Sequence, residues 1–303
     1  MSAQQLADPI ALAREHLTGR ALTETAAPRP GRPGLVGLEL ELHLVDRHDP
    51  LRRPTWARVR TALDALPPMP AGSAVTVEPG GQVELSTPPC PGPVAAVRAL
   101  RADEEALRSA LRAALQVNLD AGPRAGWADR LRLLALLELR PVTRRTPLAA
   151  WLSGAAADPA LQRRPVTTDL EYHLTTLFPP VRPRGYLELR CLDALPRRWW
   201  PALVTLTVTL ADDPVAADRA REACEPLGGR EQAAARLGLA DHVVARAATR
   251  CVDAALAACP PELVADLTAL ADLLARGSSP GARVRARIGA AGPVRVLEEE
   301  ADA

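Results

Sequence analysis

Residues 37–46 read GLELELHLVD, and the strict alternation of apolar and polar side chains over 38–44 predicts a β-strand. Alternate residues of a strand point to opposite sides. Leu38, Leu40, Leu42 and Leu44 therefore share one face, and Glu39, Glu41 and His43 share the other. A second stretch, TVEPGGQVELSTPP at 76–89, reads as two short strands around a glycine turn. It places Gln82, Glu84 and Ser86 opposite Val83 and Leu85. An apolar core has no use for a row of carboxylates, amides and hydroxyls, so these faces are the first candidates for a binding surface.

Two further segments repeat the pattern. QVNLD at 116–120 alternates Gln116, Asn118 and Asp120 with Val117 and Leu119, and GYLELRCLD at 185–193 puts Glu188 and Arg190 on one side. Between and around them, helical spacing is clearest over 92–115 and weaker over 3–20, 56–66 and 127–139. Residues 140–170 are rich in Pro, Thr and Arg with little periodicity. From 199 on, the chain reads as helices separated by Pro and Gly, and the tail VLEEEADA is expected to fray. Trp199 and Trp200 read as anchors for the start of a helix. The simplest assembly is an α+β fold: one largely antiparallel sheet carrying all four segments, helices on its apolar side, and the polar side open to a ligand. We expect a single domain over 1–303, strand-rich across 35–193 and helical across 199–290.

Composition narrows the function. A hydrophobic fraction of 48% supports a sizeable core, carried by Ala, Leu and Val because aromatics make up only 3%. A net charge of +1 gives no general attraction to nucleic acid or to an acidic membrane, and we expect neither as a partner. Every basic side chain is Arg, so any clamp on a phosphate or carboxylate must be guanidinium or backbone N–H. The five cysteines are scattered and lack CxxC spacing, which predicts reduced, mostly buried thiols rather than a disulfide framework or zinc site. The N-terminal stretch has no signal-peptide core, and a cytoplasmic location is expected.

Gathered on one surface, Glu39, Glu41, Glu84 and Glu188 would repel one another unless protonated, paired with Arg or neutralised by divalent cations. An all-oxygen set suits Mg²⁺ or Mn²⁺, and Mg²⁺ completes its shell with water and phosphates. Arg190 would then suit a phosphate oxygen. Glu-x-Glu alternation is also common on solvated strands. His43 shares the carboxylate face and can support it, whereas His173 reads as structural.

The blocks GLELELHLVD, EPGGQVELSTPP, VNLDAG and YHLTTLFPPVRPRGYLELRCLDALP resemble the conserved blocks of bacterial glutamate–cysteine ligases, most of all the actinobacterial branch of ergothioneine biosynthesis. The resemblance is dense over 35–122 and 165–196. It implies a fold similar to the glutamine-synthetase catalytic domain, a curved antiparallel sheet whose concave face holds nucleotide and metals. It also implies that ATP phosphorylates the γ-carboxylate of glutamate and that the cysteine amine then displaces phosphate, giving γ-glutamylcysteine. By the resemblance, Glu39, Glu41, Glu84 and Glu188 bind metal, and Gln116 and Asn118 lie near metal or nucleotide. Arg190 falls on the transferred phosphate, Arg184 on a substrate carboxylate, and Gln82 in the glutamate pocket. Glu78, on the turn side, is a less secure ligand, and EPGG matters chiefly for its backbone turn.

Family members are longer. Here the helix ending near Leu115 meets QVNLD directly, and a second shortening falls between Leu139 and Thr146. Three readings follow: an active ATP- and Mg²⁺-dependent glutamate–cysteine ligase, a shortened non-catalytic relative that binds nucleotide or glutamate, and a ligase using another amine.

Overall fold

The computed structural model describes residues 33–49, 52–78, 81–120, 150–151, 153–155, 180–183, 186–192 and 195–302. The helices expected at 3–20 and 127–139, together with His173 and Arg184, lie outside these residues. The described residues belong to two compact units, one within Pro28–Pro123 and Ala194–Ala303, the other within Met1–Ala27 and Arg124–Asp193.

The larger unit opens with β1 (Leu35–Val36), β2 (Glu39–Asp46) and α1 (Trp56–Asp64). There follow β3 (Ala74–Val77), β4 (Val83–Ser86), β5 (Cys90–Pro91), α2 (Gly92–Leu115) and β6 (Val117–Asp120). Every pairing is antiparallel: β1 with β5, and a sheet ordered β3-β4-β2-β6. The alternation read from the sequence sets its register, because a one-residue slip would turn the leucines of β2 to the wrong side. Leu42, Val83 and Leu85 are fully buried, and Val97, Leu100, Leu107, Leu111 and Leu115 of α2 pack into the same core. These helix positions are spaced by three, seven, four and four residues, which keeps them on one stripe of the helix facing the sheet. Burying a leucine side chain is worth about 1.5–3 kcal/mol, so this stripe is what holds α2 under the strands.

Two carboxylates tie loops to that framework. Asp103, fully buried on α2, accepts hydrogen bonds from the backbone N–H of Ala71 and Ser73 (2.9 Å for Ser73) and so fixes the chain just before β3. Ahead of β2, the N–H of Gly34 donates to Asp212 Oδ2 at 3.3 Å. A Cβ at position 34 would lie 2.9 Å from that oxygen, so a larger residue there would push the Asp212 carboxylate aside.

The C-terminal part of this unit is helical: α3 (Trp200–Asp212), α4 (Pro214–Cys224), α5 (Glu231–Leu237), α6 (His242–Leu256), α7 (Val264–Ala275), α8 (Pro280–Ala291) and α9 (Pro293–Asp302). α3 packs on α2 and is itself covered by α4, α6 and α7. The tryptophan pair anchors its start as expected. Trp200 enters the core under the sheet, and Trp199 enters a second core with Val252, Leu267, Leu270 and Leu273. Among the described residues no helix is long and apolar enough to cross a membrane.

In the smaller unit, β7 (Val181–Pro183) and β8 (Leu187–Leu189) form an antiparallel hairpin with Arg182 opposite Glu188. Mixed helix and antiparallel sheet agree with the α+β expectation.

Three expectations are corrected. Three of the four polar-faced segments share one sheet, but the segment at 185–193 pairs with Val181–Pro183, which lies just before it in the chain. Local closure of that kind fixes little extra chain. The tail does not fray: α9 packs against β6 and β2, Val296 is 3% exposed, and Arg287 pairs with both Glu299 (2.7 Å) and Glu300. Of the cysteines only Cys90 is buried. Cys191 and Cys224 are exposed, while Cys251 and Cys259 are half-buried.

Candidate active site

The hairpin that carries Glu84 is closed by backbone bonds from Glu78 N–H to Gln82 O and from Gly81 N–H to Glu78 O, each 2.9 Å. Gly81 takes φ +88°, a left-handed conformation that glycine adopts without penalty. This turn fixes the register of β3 against β4, and β2 pairs with the far edge of β4. Thr76 of β3 lies opposite Glu84 of β4, Glu84 lies opposite Glu41 of β2, and Glu39 lies opposite Ser86. Directly opposed residues of an antiparallel pair hold their Cβ atoms about 4.5–5.5 Å apart on the same face. The sheet therefore sets two carboxylates side by side with hydroxyls and an amide around them.

The neighbours hold those carboxylates in place. Thr76 Oγ1 donates to Glu84 Oε1 at 2.9 Å, and Ser86 Oγ donates to the same oxygen at 3.0 Å. Gln82 Nε2 donates to Glu41 Oε2 at 2.9 Å. Glu39 and Glu41 are exposed and Glu84 is half-buried, so the face is open. His43, two residues along β2, is only 7% exposed and stands opposite Asp120 in register. The sequence reading does not single out Thr76. Counting back by pairs across the turn from Glu84 is the signal that finds it.

The donor set is chemically right for a hard divalent cation, since every ligand atom it offers is oxygen and no lysine competes for the carboxylates. Among the described residues, however, no group of three or more His, Cys, Asp and Glu side chains could hold an ion by itself. Mg²⁺ in general keeps several waters and takes further ligands from phosphates rather than from an all-protein cage.

The remaining candidates are placed as follows. Arg190 Nη1 lies 2.7 Å from Glu188 Oε1, so the two side chains expected on phosphate and metal bind each other. The Glu188 side chain is 15% exposed and that of Arg190 34%, so the pair is partly screened by water. Both belong to the smaller unit. Asn118 stands opposite Val45 in the sheet register. Gln116 is not brought to the Glu41–Glu84 pair. It caps the C-terminus of α2 in a left-handed conformation, φ +55°, with its carbonyl accepting from Arg47 N–H at 3.1 Å. That is roughly 20 Å along β2 from Glu41 at about 3.3 Å per residue. The direct passage from helix to strand is what makes a cap of this residue. Glu78 contributes the backbone turn expected of it.

Antiparallel strands that oppose two glutamates under a polar rim define a carboxylate-lined, oxygen-donor site on an α+β fold. The model of glutamate-cysteine ligase family 2 (GCS2) matches residues 35–123 and 142–300, a span that includes Glu39, Glu41, Glu84 and Glu188, and the chain belongs to that family. It is 34% identical over 369 residues to glutamate–cysteine ligase EgtA of Mycobacterium tuberculosis, covering 82% of this chain and 85% of that one. Against glutamate–cysteine ligase EgtA of Mycolicibacterium smegmatis it is 34% identical over 385 residues, covering 89% of this chain and 90% of the relative. Both aligned spans exceed the 303 residues present here, so the relatives carry internal segments without a counterpart in this chain.

Proposed function

We propose that the protein joins L-glutamate to L-cysteine through the glutamate γ-carboxylate, at the expense of ATP, and releases γ-glutamylcysteine, ADP and phosphate for ergothioneine synthesis. The observation that carries this reading is the register that opposes Glu41 to Glu84 beside Gln82, Thr76 and Ser86 within a family-matched sheet.

In this reading Glu39, Glu41 and Glu84 would hold Mg²⁺, or Mn²⁺ in its place. When bound, such a cation neutralises the charge spread over the transferring phosphoryl group. Thr76 and Ser86 orient the Glu84 carboxylate by holding one of its oxygens, which leaves the other turned to ligand. Gln82 orients Glu41 in the same way and lines the glutamate pocket. Arg190 exchanges Glu188 for the phosphate that is transferred, and Arg184 takes a substrate carboxylate. Glutamate's γ-carboxylate oxygen attacks the γ-phosphorus, giving an acyl phosphate and ADP. The cysteine amine then attacks the acyl carbon, and phosphate leaves with the original carboxylate oxygen.

Glutamate labelled with ¹⁸O at the γ-carboxylate tests this sequence, because the acyl phosphate route carries one labelled oxygen into phosphate. Unlabelled phosphate formed alongside product would exclude it. A second reading has its own support: the relatives' additional segments favour a shortened form that binds nucleotide or glutamate without turnover. Binding of ATP and metal with no product from any amine would select it.

A further inference from the structure

Cys224, the last residue of α4, and Cys251, in the middle of α6, face each other with their sulfurs 3.7 Å apart. α4 and α6 pack along their length, and Glu222 and Arg250, each close to one of the cysteines, approach to 3.9 Å across the same contact. Neither cysteine belongs to the carboxylate face. We propose that Cys224 and Cys251 are a dithiol that peroxide converts to a reversible disulfide, tying α4 to α6. This does not rest on the ligase reading.

The geometry needs little change. A disulfide brings its sulfurs to about 2.05 Å, so the pair must close by roughly 1.7 Å. Cys224 stands at a helix end followed by a single 3-10 turn, Glu225–Leu227, where rotation about its side chain and a small backbone shift meet no long element. Exposure gives an oxidant access to Cys224, while Cys251 is half-buried behind it. Burial and the neighbouring Cys224 push the Cys251 thiol up to about 12, so it stays protonated while the exposed thiol reacts first.

The chemistry balances with hydrogen peroxide as oxidant. The Cys224 sulfur attacks one peroxide oxygen. An S–O bond forms, the O–O bond breaks, and the departing hydroxide takes the thiol proton and leaves as water. Cys224 is then a sulfenic acid. The Cys251 sulfur attacks that sulfur, the S–S bond forms, the S–O bond breaks, and the second hydroxide leaves as water with the Cys251 proton. Peroxide gains two electrons and the two thiols lose them. An external dithiol returns the pair to its reduced form. Closing the bond before a second oxidant arrives keeps Cys224 from irreversible oxidation.

The test uses the full reduced chain treated with a small molar excess of hydrogen peroxide. Intact mass is expected to fall by two hydrogens. Trypsin without reductant is expected to release peptides 222–230 and 251–276 as one linked species. The thermal midpoint is expected to rise by roughly 5–10 °C and to return after dithiothreitol, since a cross-link over a loop of this length stabilises through the unfolded chain. Cys224→Ser and Cys251→Ala are each expected to abolish the linked peptide and the shift. Because Cys224 is exposed, its replacement leaves the packing in place. Sulfinic acid at Cys224 without a link, or a link from either cysteine to Cys90, Cys191, Cys259 or a second chain, would overturn the proposal.

Discussion

Replacing Glu41 by Gln separates the two roles a carboxylate on this sheet can have. Glu41 and Glu84 are opposed in register, with Cβ atoms about 5 Å apart. Two unit charges at that distance repel by about 0.8 kcal/mol in water and by about 3 kcal/mol at an effective dielectric of about 20. Glu41 is exposed, so the lower figure governs. The amide retains an oxygen to accept the Gln82 bond, so that contact outlasts the loss of charge. In the absence of metal, Glu41→Gln is therefore expected to be as stable as the parent or more stable by up to about 1 kcal/mol, a rise of roughly 2–4 °C. Added Mg²⁺ or Mn²⁺ tells the other half. A cation at about 100 times its dissociation constant stabilises the parent by about 2.7 kcal/mol, and the variant should lose most of that together with metal-dependent activity. Differential scanning fluorimetry across a metal titration reads both quantities. A variant that melts well below the parent, yet still shifts with metal, would refute the reasoning: the carboxylate would then be a structural acceptor.

Three further outcomes test the frame around the site. Glu104 is 1% exposed and lies 2.9 Å from Arg108 and 3.4 Å from Arg197, and Glu104→Ala is expected to cost about 3 kcal/mol by urea denaturation. The lower end of the range for buried pairs applies because Arg197 can turn to water, and a loss below about 1 kcal/mol would show that the pair is not structural. Leu107→Ala, at a fully buried position of the same helix, is expected to cost about 2–5 kcal/mol in the same assay, and a loss under about 1 kcal/mol would contradict its place in the core. Burial raises the Asp212 carboxyl above its ordinary value, against the opposing Gly34 N–H. The folded state then holds the proton more tightly than the unfolded chain, so the group contributes stability below the ordinary carboxylate range and loses it as pH rises through the raised value. Asp212→Asn should accordingly gain thermal stability relative to the parent as pH is raised from acid to neutral, and a difference that does not vary with pH would refute this.

Much of the scaffold was legible from residue periodicity. The leucines of 38–44 gave β2 its face, the spacing of 92–115 gave α2, and the glycine turn gave the β3–β4 hairpin, whereas the β2–β4 pairing that opposes Glu41 to Glu84 came only from the structure. What could not be read was pairing at a distance. Alternation in 185–193 shows a strand with Glu188 and Arg190 on one side, but says nothing about which strand it joins, and a nearby partner won. Gln116 looked like the first residue of a polar strand face because periodicity does not register that a helix ending at Leu115 must be capped by the next residue. The charged tail looked frayed because its ion-pair partner, Arg287, is on another helix. Opposed cysteines on α4 and α6 escape sequence reading for the same reason: 27 residues separate them along the chain, and only the packing of the helices brings them together.

The central claim is tested most directly by incubating the protein with glutamate, cysteine, ATP and Mg²⁺ and following products by mass spectrometry, with each component omitted in turn. The account predicts γ-glutamylcysteine and ADP in equal amounts from the complete mixture alone. ATP and metal binding without product from cysteine or any other amine would contradict it, and would leave the opposed carboxylates as a binding site that no longer turns over.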